Sequence, residues 1–354
     1  PEHYPRGLTV RILLGNYPVI ANMSWGDKIW DAINDLREAG DEEMVKPDLG
    51  CKIEVANYPG TYPHSHTKFV VVDGKRLIAA GFNYGWLHYP KEHPSGEGDD
   101  LTDLGIVIDG PVAQAALVTY DDMWVGADQI YCSELFPQDG SDWKDSCEEK
   151  VATGGHTPEV LKYLLAGSEN TLSLYRTHTY KEADEAVSSA LASAEESIDI
   201  MSVNFSLQAI CMVNVVIPDA CTFEQALPWM DGLVEAIETN HVYVRAIVEN
   251  ANSNGLENRV GIDILEKELA RRGLSEYFEV RYFDGRLHAK SVLIDEVLLI
   301  VGSQNLHYSS FGQGGLLEYS VATDSQEAIQ KYQDMFEYYW DLAVPEDEAE
   351  YATT

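Results

Sequence analysis

Two eight-residue stretches decide how this chain is read: HTKFVVVD at residues 66–73 and HAKSVLID at residues 288–295. In each, a lysine stands two residues after a histidine and an aspartate seven after it: His66, Lys68 and Asp73, then His288, Lys290 and Asp295. An asparagine follows at a shared offset of seventeen residues, Asn83 in the first case and Asn305 in the second. One His-x-Lys-(x)4-Asp arrangement arises by chance in about 3% of chains of this composition. Two of them, with the same asparagine offset and inside matching surroundings, are not accidental.

Both stretches are rich in β-branched residues and read as strands, the first ending in the turn signal Asp73-Gly74. Alternate residues of a strand share a face, so His66 projects with Lys68 and His288 with Lys290. Packed across a pseudo-twofold axis, two such strands place two imidazoles and two ammonium groups in one pocket. That set suits a phosphodiester, which needs a nucleophile on one side and an acid for the leaving oxygen on the other. The lysines, with Asn83 and Asn305, would hold the phosphoryl oxygens as charge shifts in the transition state. Asp73 and Asp295 sit at strand ends and take a structural or orienting role. An acid also precedes the next strand of each half, Asp103 before LGIVI and Glu318 before YSVA. A carboxylate on one imidazole nitrogen fixes the tautomer and raises basicity at the other, and these two acids are assigned that task. The plainer alternative is that each acid simply begins its strand.

Outward from the motifs the order of elements repeats. VRILLGN at 10–16 matches VRAIVEN at 244–250, and each is followed by a helix, a strand, the His-x-Lys strand, a further strand and a terminal helix. This is a duplicated α/β unit: two similar lobes related by pseudo-twofold symmetry, each a mixed β-sheet flanked by helices. The first lobe with its linker is assigned to 1–160 and the second to 161–354. Residues 126–160, dense in Gly, Asp, Ser and Pro, read as the connection. The first helix is expected from Trp25 through Ile29, Ile33 and Leu36 to a cap at Gly40. The second half carries a helix and a strand near 170–210 that have no counterpart in the first. The expectation is therefore that the first lobe lacks its N-terminal helix–strand unit, which a separate fragment would supply.

Composition narrows the partners. The 24 Lys and Arg stand against 59 Asp and Glu, a net charge of −35. Nucleic acids are bound largely through Lys and Arg at phosphates, so no nucleic-acid partner is expected. Five cysteines include two loop-bracketing pairs, Cys132 with Cys147 and Cys211 with Cys221. Two local disulfides in an oxidising compartment, with Cys51 free, and five ordinary buried thiols fit equally well. His64, His66, His88 and His93 could ligate zinc, but His288 would then be unexplained, so no metal and no cofactor are expected. Aromatic residues follow both motifs. Phe82 and Trp86 after the first, and His307 and Tyr308 after the second, are candidates to line a substrate pocket; core packing is the bland reading of each.

These residues resemble the paired HKD motifs of the phospholipase D superfamily. Among its branches the chain is most similar to the secreted bacterial phospholipases D, through TVRILLG, HTKFVVVDGK, GFNYGW, DGPVA and VGSQNL, in order over nearly the whole length. The resemblance implies a metal-independent phosphodiesterase that hydrolyses glycerophospholipid head groups, or transfers them to another alcohol, through a phosphohistidine. It implies His66 as nucleophile and His288 as general acid, a phospholipid substrate at a membrane or micelle surface, and a secreted location. A nuclease on the same scaffold and a non-catalytic HKD binding protein are the alternatives. One departure is visible: Ser303 in GSQN has no hydroxyl counterpart in AGFN, where Gly81 stands, and this asymmetry supports unequal roles for the two histidines.

Overall fold

The computed structural model describes residues 7–16, 25–38, 52–60, 62–85, 88–155 and 166–349. Trp86, Cys51 and the expected cap at Gly40 lie outside them. Along the chain the strands are β1 Thr9–Leu14, β2 Lys52–Asn57, β3 Phe69–Val72, β4 Arg76–Ala80, β5 Gly105–Asp109, β6 Asp128–Cys132 and β7 Cys147–Val151. They continue as β8 Thr171–Arg176, β9 Ser197–Ser202, β10 Tyr243–Glu249, β11 Phe278–Phe283, β12 Lys290–Ile294, β13 Leu298–Gly302 and β14 Glu318–Thr323. The mixed α/β architecture read from the sequence is present. The chain forms two compact units, residues 1–65 with 116–163 and residues 66–115 with 164–354. This grouping differs from a division at residue 160, because the first motif and its strands belong with the second half.

In the smaller unit the sheet order is β1-β2-β6-β7, with β1 and β2 parallel and the other pairs antiparallel. The helix Trp25–Glu38 lays Ile29 and Ile33 against Val55, Ile130 and Trp143. Here the sequence reading needs correction, since 126–160 is not merely a connection. Its β6 and β7 complete this sheet, with Cys132 and Cys147 directly opposite and joined by a disulfide. Both strands are short and half polar, so their alternation is hidden by charge.

The larger unit holds a seven-stranded sheet ordered β11-β10-β9-β12-β13-β14-β8 and a three-stranded meander β3-β4-β5. Strands β9, β10 and β11 run parallel, and β12, β13, β14 and β8 join by antiparallel pairs. Because the seven-stranded sheet is covered on both faces, β12 (KSVLI) and β13 (LLIVG) are almost continuously buried. Successive residues still part to opposite faces. Ile198, Ile200, Val292, Ile294 and Ile300 pack with the helices Glu182–Ala192, Pro228–Asn240 and Asn252–Arg272. Met201, Leu293, Leu299 and Val301 instead meet Ile329, Tyr332 and Phe336 of the helix Gln326–Leu342. Truncating one of these to alanine costs about 2–5 kcal/mol. The second cluster also takes Leu104 and Ile106 from the meander, which fixes the first-half strands against the second-half helix.

Candidate active site

Both histidines lie in the larger unit, just ahead of their strands. The ladders begin at Phe69 and Lys290, so the His-x-Lys runs are extended leads into β3 and β12 and not strand interiors as the sequence reading placed them. Each lead is held by the opposite half. The His66 N–H donates to Leu317 O at 2.9 Å, and the His288 N–H donates to Thr102 O at 2.8 Å. The next residue in each case is the orienting acid. Nδ1 of His66 lies 2.9 and 3.1 Å from the Glu318 carboxylate oxygens, and Nδ1 of His288 lies 2.6 Å from Asp103. Asp103 and Glu318 each stand against an imidazole, but crosswise, at the histidine of the other motif. With a carboxylate at Nδ1, that nitrogen carries the proton and Nε2 keeps its lone pair for reaction.

The two carboxylates are supported differently. Glu318 is fully buried and accepts hydrogen bonds from the Ser303 and Ser310 hydroxyls, each at 2.6 Å. Ser303 also accepts the Tyr319 N–H at 2.9 Å, so its role is to fix Glu318. Gly81 occupies the matching place in the first half, where a Cβ would stand 2.3 Å from Asp103 Oδ1. Aspartate is one carbon shorter than glutamate, and its carboxylate fills the space that a serine would need.

The lysines are buried: Lys68 is 5% exposed and Lys290 3%. Lys68 Nζ donates to His66 O at 2.7 Å, Lys290 Nζ donates to His288 O, and Lys290 Nζ stands 2.8 Å from His288 Nδ1. Burial pulls the Lys68 ammonium down to about 8, against the attraction of Glu318 and Asp103. Burial, opposed by Asp103 and aided by the neighbouring Lys68, pulls Lys290 down to about 7. His288 falls to about 3 through burial and the adjacent Lys290 charge, and burial also lowers His66. Despite its burial, Glu318 stays below the usual carboxylate range because His66 and Lys68 face it. The site thus holds neutral imidazoles beside two buried lysines, which suits the capture of an anion.

Other sequence candidates fall at varied distances from this centre. Asp73 is exposed in a left-handed turn at the far end of β3. Asp295 closes β12 at its far end and accepts the backbone N–H groups of Glu195, Glu196 and Ser197 at 2.7–2.9 Å. Both are structural, and neither meets a histidine. Asn305 is buried with its amide oxygen unpartnered, whereas Asn83 is exposed and its amide meets His88 Nε2 at 3.2 Å. Phe82 packs edge-on to the exposed Tyr84. The His307 ring is engaged by Ser309 and by Glu257 at 3.2 Å, and Tyr308 packs on the core, so the pocket roles expected for these two are not what the structure gives them.

Three residues were missed. Ser310 steadies Glu318. Arg176, fully buried, binds Asp184 and the carbonyls of Leu316 (2.6 Å) and Gly312 (2.5 Å), clamping the loop that ends at Glu318. Glu249 accepts the N–H of Leu287, the residue before His288, and burial pushes its carboxyl up to about 7. Only for Glu249 was there a signal: it breaks the VRILLGN/VRAIVEN match, where Gly15 stands opposite. His88 lies edge-on to His288 at 5.1 Å. With Asp103 and His288 it forms, among the described residues, a group whose ligand atoms lie within 4.8 Å of one another. Asp103 and His288 are already bonded to each other, and the Lys290 ammonium against the same ring opposes a cation.

Residues 187–340, which include the second motif and Glu318, match the family model described as cardiolipin synthase, PLD-like domain. Over those residues the chain is similar to a phospholipase D-like domain. Solved structures agree on the fold: phosphatidylserine synthase from Haemophilus influenzae is 11% identical over 96% of this chain and 82% of its own, with a TM-score of 0.55. Two shorter solved chains each match 50% of this chain. Nuc from Salmonella typhimurium, a phospholipase D family member, is 18% identical over 98% of its length with a TM-score of 0.37. NucT from Helicobacter pylori is 17% identical over 99% of its length with a TM-score of 0.34. A search of curated proteins gives no match.

Proposed function

We propose that the chain is a phospholipase D-type enzyme that cleaves the head group from a glycerophospholipid and passes the phosphatidyl group to water or to an alcohol. The observation that carries this is the crossed arrangement of His66–Glu318 and His288–Asp103 around two buried, phosphate-seeking lysines. His66 Nε2 attacks phosphorus, the bond to the head-group oxygen breaks, and His288 gives that oxygen a proton. His288 then takes a proton from the incoming water or alcohol, which displaces His66. The assignment of nucleophile and acid follows the phospholipase D pattern. Both imidazoles are neutral in the free site, and a bound phosphodiester anion favours a proton on His288. Support for a lipid over a nucleic acid comes from the net charge of −35 and from the phosphatidyl chemistry named in the matched family and in the Haemophilus synthase. The two disulfides support an exported location.

The test is to offer phosphatidylcholine vesicles with ethanol, and separately single-stranded DNA, to the protein and to its His66→Ala variant. Phosphatidic acid and phosphatidylethanol are expected, falling at least about 10³-fold in the variant. Cleaved DNA with untouched lipid would give the site to a nuclease instead.

A further inference from the structure

A long uncharged stretch that begins beside the site has no task in the chemistry above. No residue from 200 to 218 is charged, in a chain where 23% of residues are. The segment leaves the active-site end of β9. Ser202 pairs with Lys290, the Val203 N–H donates to Ala289 O at 2.9 Å, and Phe205 bridges Leu306, the neighbour of Asn305. Its root is rigid. The buried Asn258 amide accepts the Phe205 N–H at 2.7 Å and donates to Val203 O at 2.9 Å. Beyond the root, a disulfide joins Cys211 to Cys221, both buried, and the Asn214 amide bonds the Cys221 N–H and carbonyl at 2.7 and 2.9 Å.

What this frame holds outward is apolar. Ile210 is 71% exposed, Val215 49%, Val216 80% and Ile217 57%. The nearest charge, Asp219, is paired with Lys267 at 2.7 Å. A folded chain exposes such a cluster at a cost, and clusters of this kind mark interaction surfaces. A cluster of exposed aliphatic side chains suits a fluid apolar partner over a charged one.

We propose that the 209–218 loop is a wedge that inserts into the surface of a zwitterionic lipid bilayer and tethers the chain to it. The choice of occupant rests on the lipid reading above and on charge: a loop without Lys or Arg, on a body of net charge −35, gains nothing from anionic lipid. Binding is apolar, so it is insensitive to salt and is not strengthened by acidic lipid.

The test is co-sedimentation of the full chain with phosphatidylcholine vesicles, comparing the protein with Val216→Asp/Ile217→Asp. The control is Val297→Asp, at an equally exposed valine in the turn beyond the far end of β12. Hydrolysis of the water-soluble bis(p-nitrophenyl) phosphate is followed in parallel. The loop variant is expected to bind vesicles at least about tenfold more weakly, with the control and soluble-substrate hydrolysis unchanged. Equal binding by the loop variant, an equal loss in the control, or no binding of the unaltered protein to phosphatidylcholine would overturn the proposal. The last result would assign the tip to a protein partner. Loop-dependent binding without cleavage of the lipid would leave the wedge standing and remove the lipase reading. Lipid cleavage with loop-independent binding would do the reverse.

Discussion

At the residue scale, the two histidines are equivalent in backbone and unequal in surroundings. The equivalence was legible in the repeated spacing, and so were the two acids. Their crossing was not, because Glu318 lies 252 residues from His66 and Asp103 185 residues from His288, and spacing carries no information at that range. The substitutions Gly81 for Ser303 and Gly15 for Glu249 turn out to be physical necessities: a Cβ at Gly15 would meet Ser65 O at 2.2 Å, just as one at Gly81 would meet Asp103. The lysines yield the prediction proper to this scale. Lys290 and Lys68 lose their protons near pH 7 and 8, so the positive charge of the free site is complete below about pH 6.5 and falls as pH rises. Sulfate keeps its charge over this range. Its inhibition constant should rise at least about tenfold between pH 6 and 9, since one lost charge at contact distance is worth several kcal/mol. In Lys290→Met only the inflection near 8 should remain. A flat sulfate profile in the unaltered protein would mean that these lysines do not receive the anion.

At the element scale, the strands carrying the motifs and the helix Gln326–Leu342 matched the sequence reading, because continuous apolar runs and a 3.6-residue period are strong signals. Weaker patterns failed. DQIYC and CEEKV were absorbed into a supposed linker, and the helix Pro228–Asn240 was not foreseen. The element with most influence on the site is the loop from Tyr308 to Glu318, whose position depends on Arg176 reaching across from β8. Removing one partner of a buried ion pair costs about 3–5 kcal/mol. Arg176→Met should therefore lower the urea midpoint by a corresponding amount. It should also reduce kcat/KM at least about tenfold with KM little changed, as Glu318 drifts from His66, and Arg176→Lys should recover part of both. Full activity in a destabilised Arg176→Met protein would show that the clamp serves folding alone.

At the scale of the whole molecule, the two motifs lie in one compact unit, where an acid from beside each motif meets the histidine of the other. No helix among the described residues is long and apolar enough to cross a membrane. The central claim is that the two histidines form one covalent site with divided labour. It is tested most directly by mixing His288→Ala with phosphatidyl-p-nitrophenol, whose leaving group departs without a proton from His288, then quenching and measuring the intact mass and the modified peptide. The account predicts a phosphatidyl adduct on the peptide containing His66, absent from His66→Ala. An adduct on another residue, or none in a protein that still turns over lipid slowly, would contradict it.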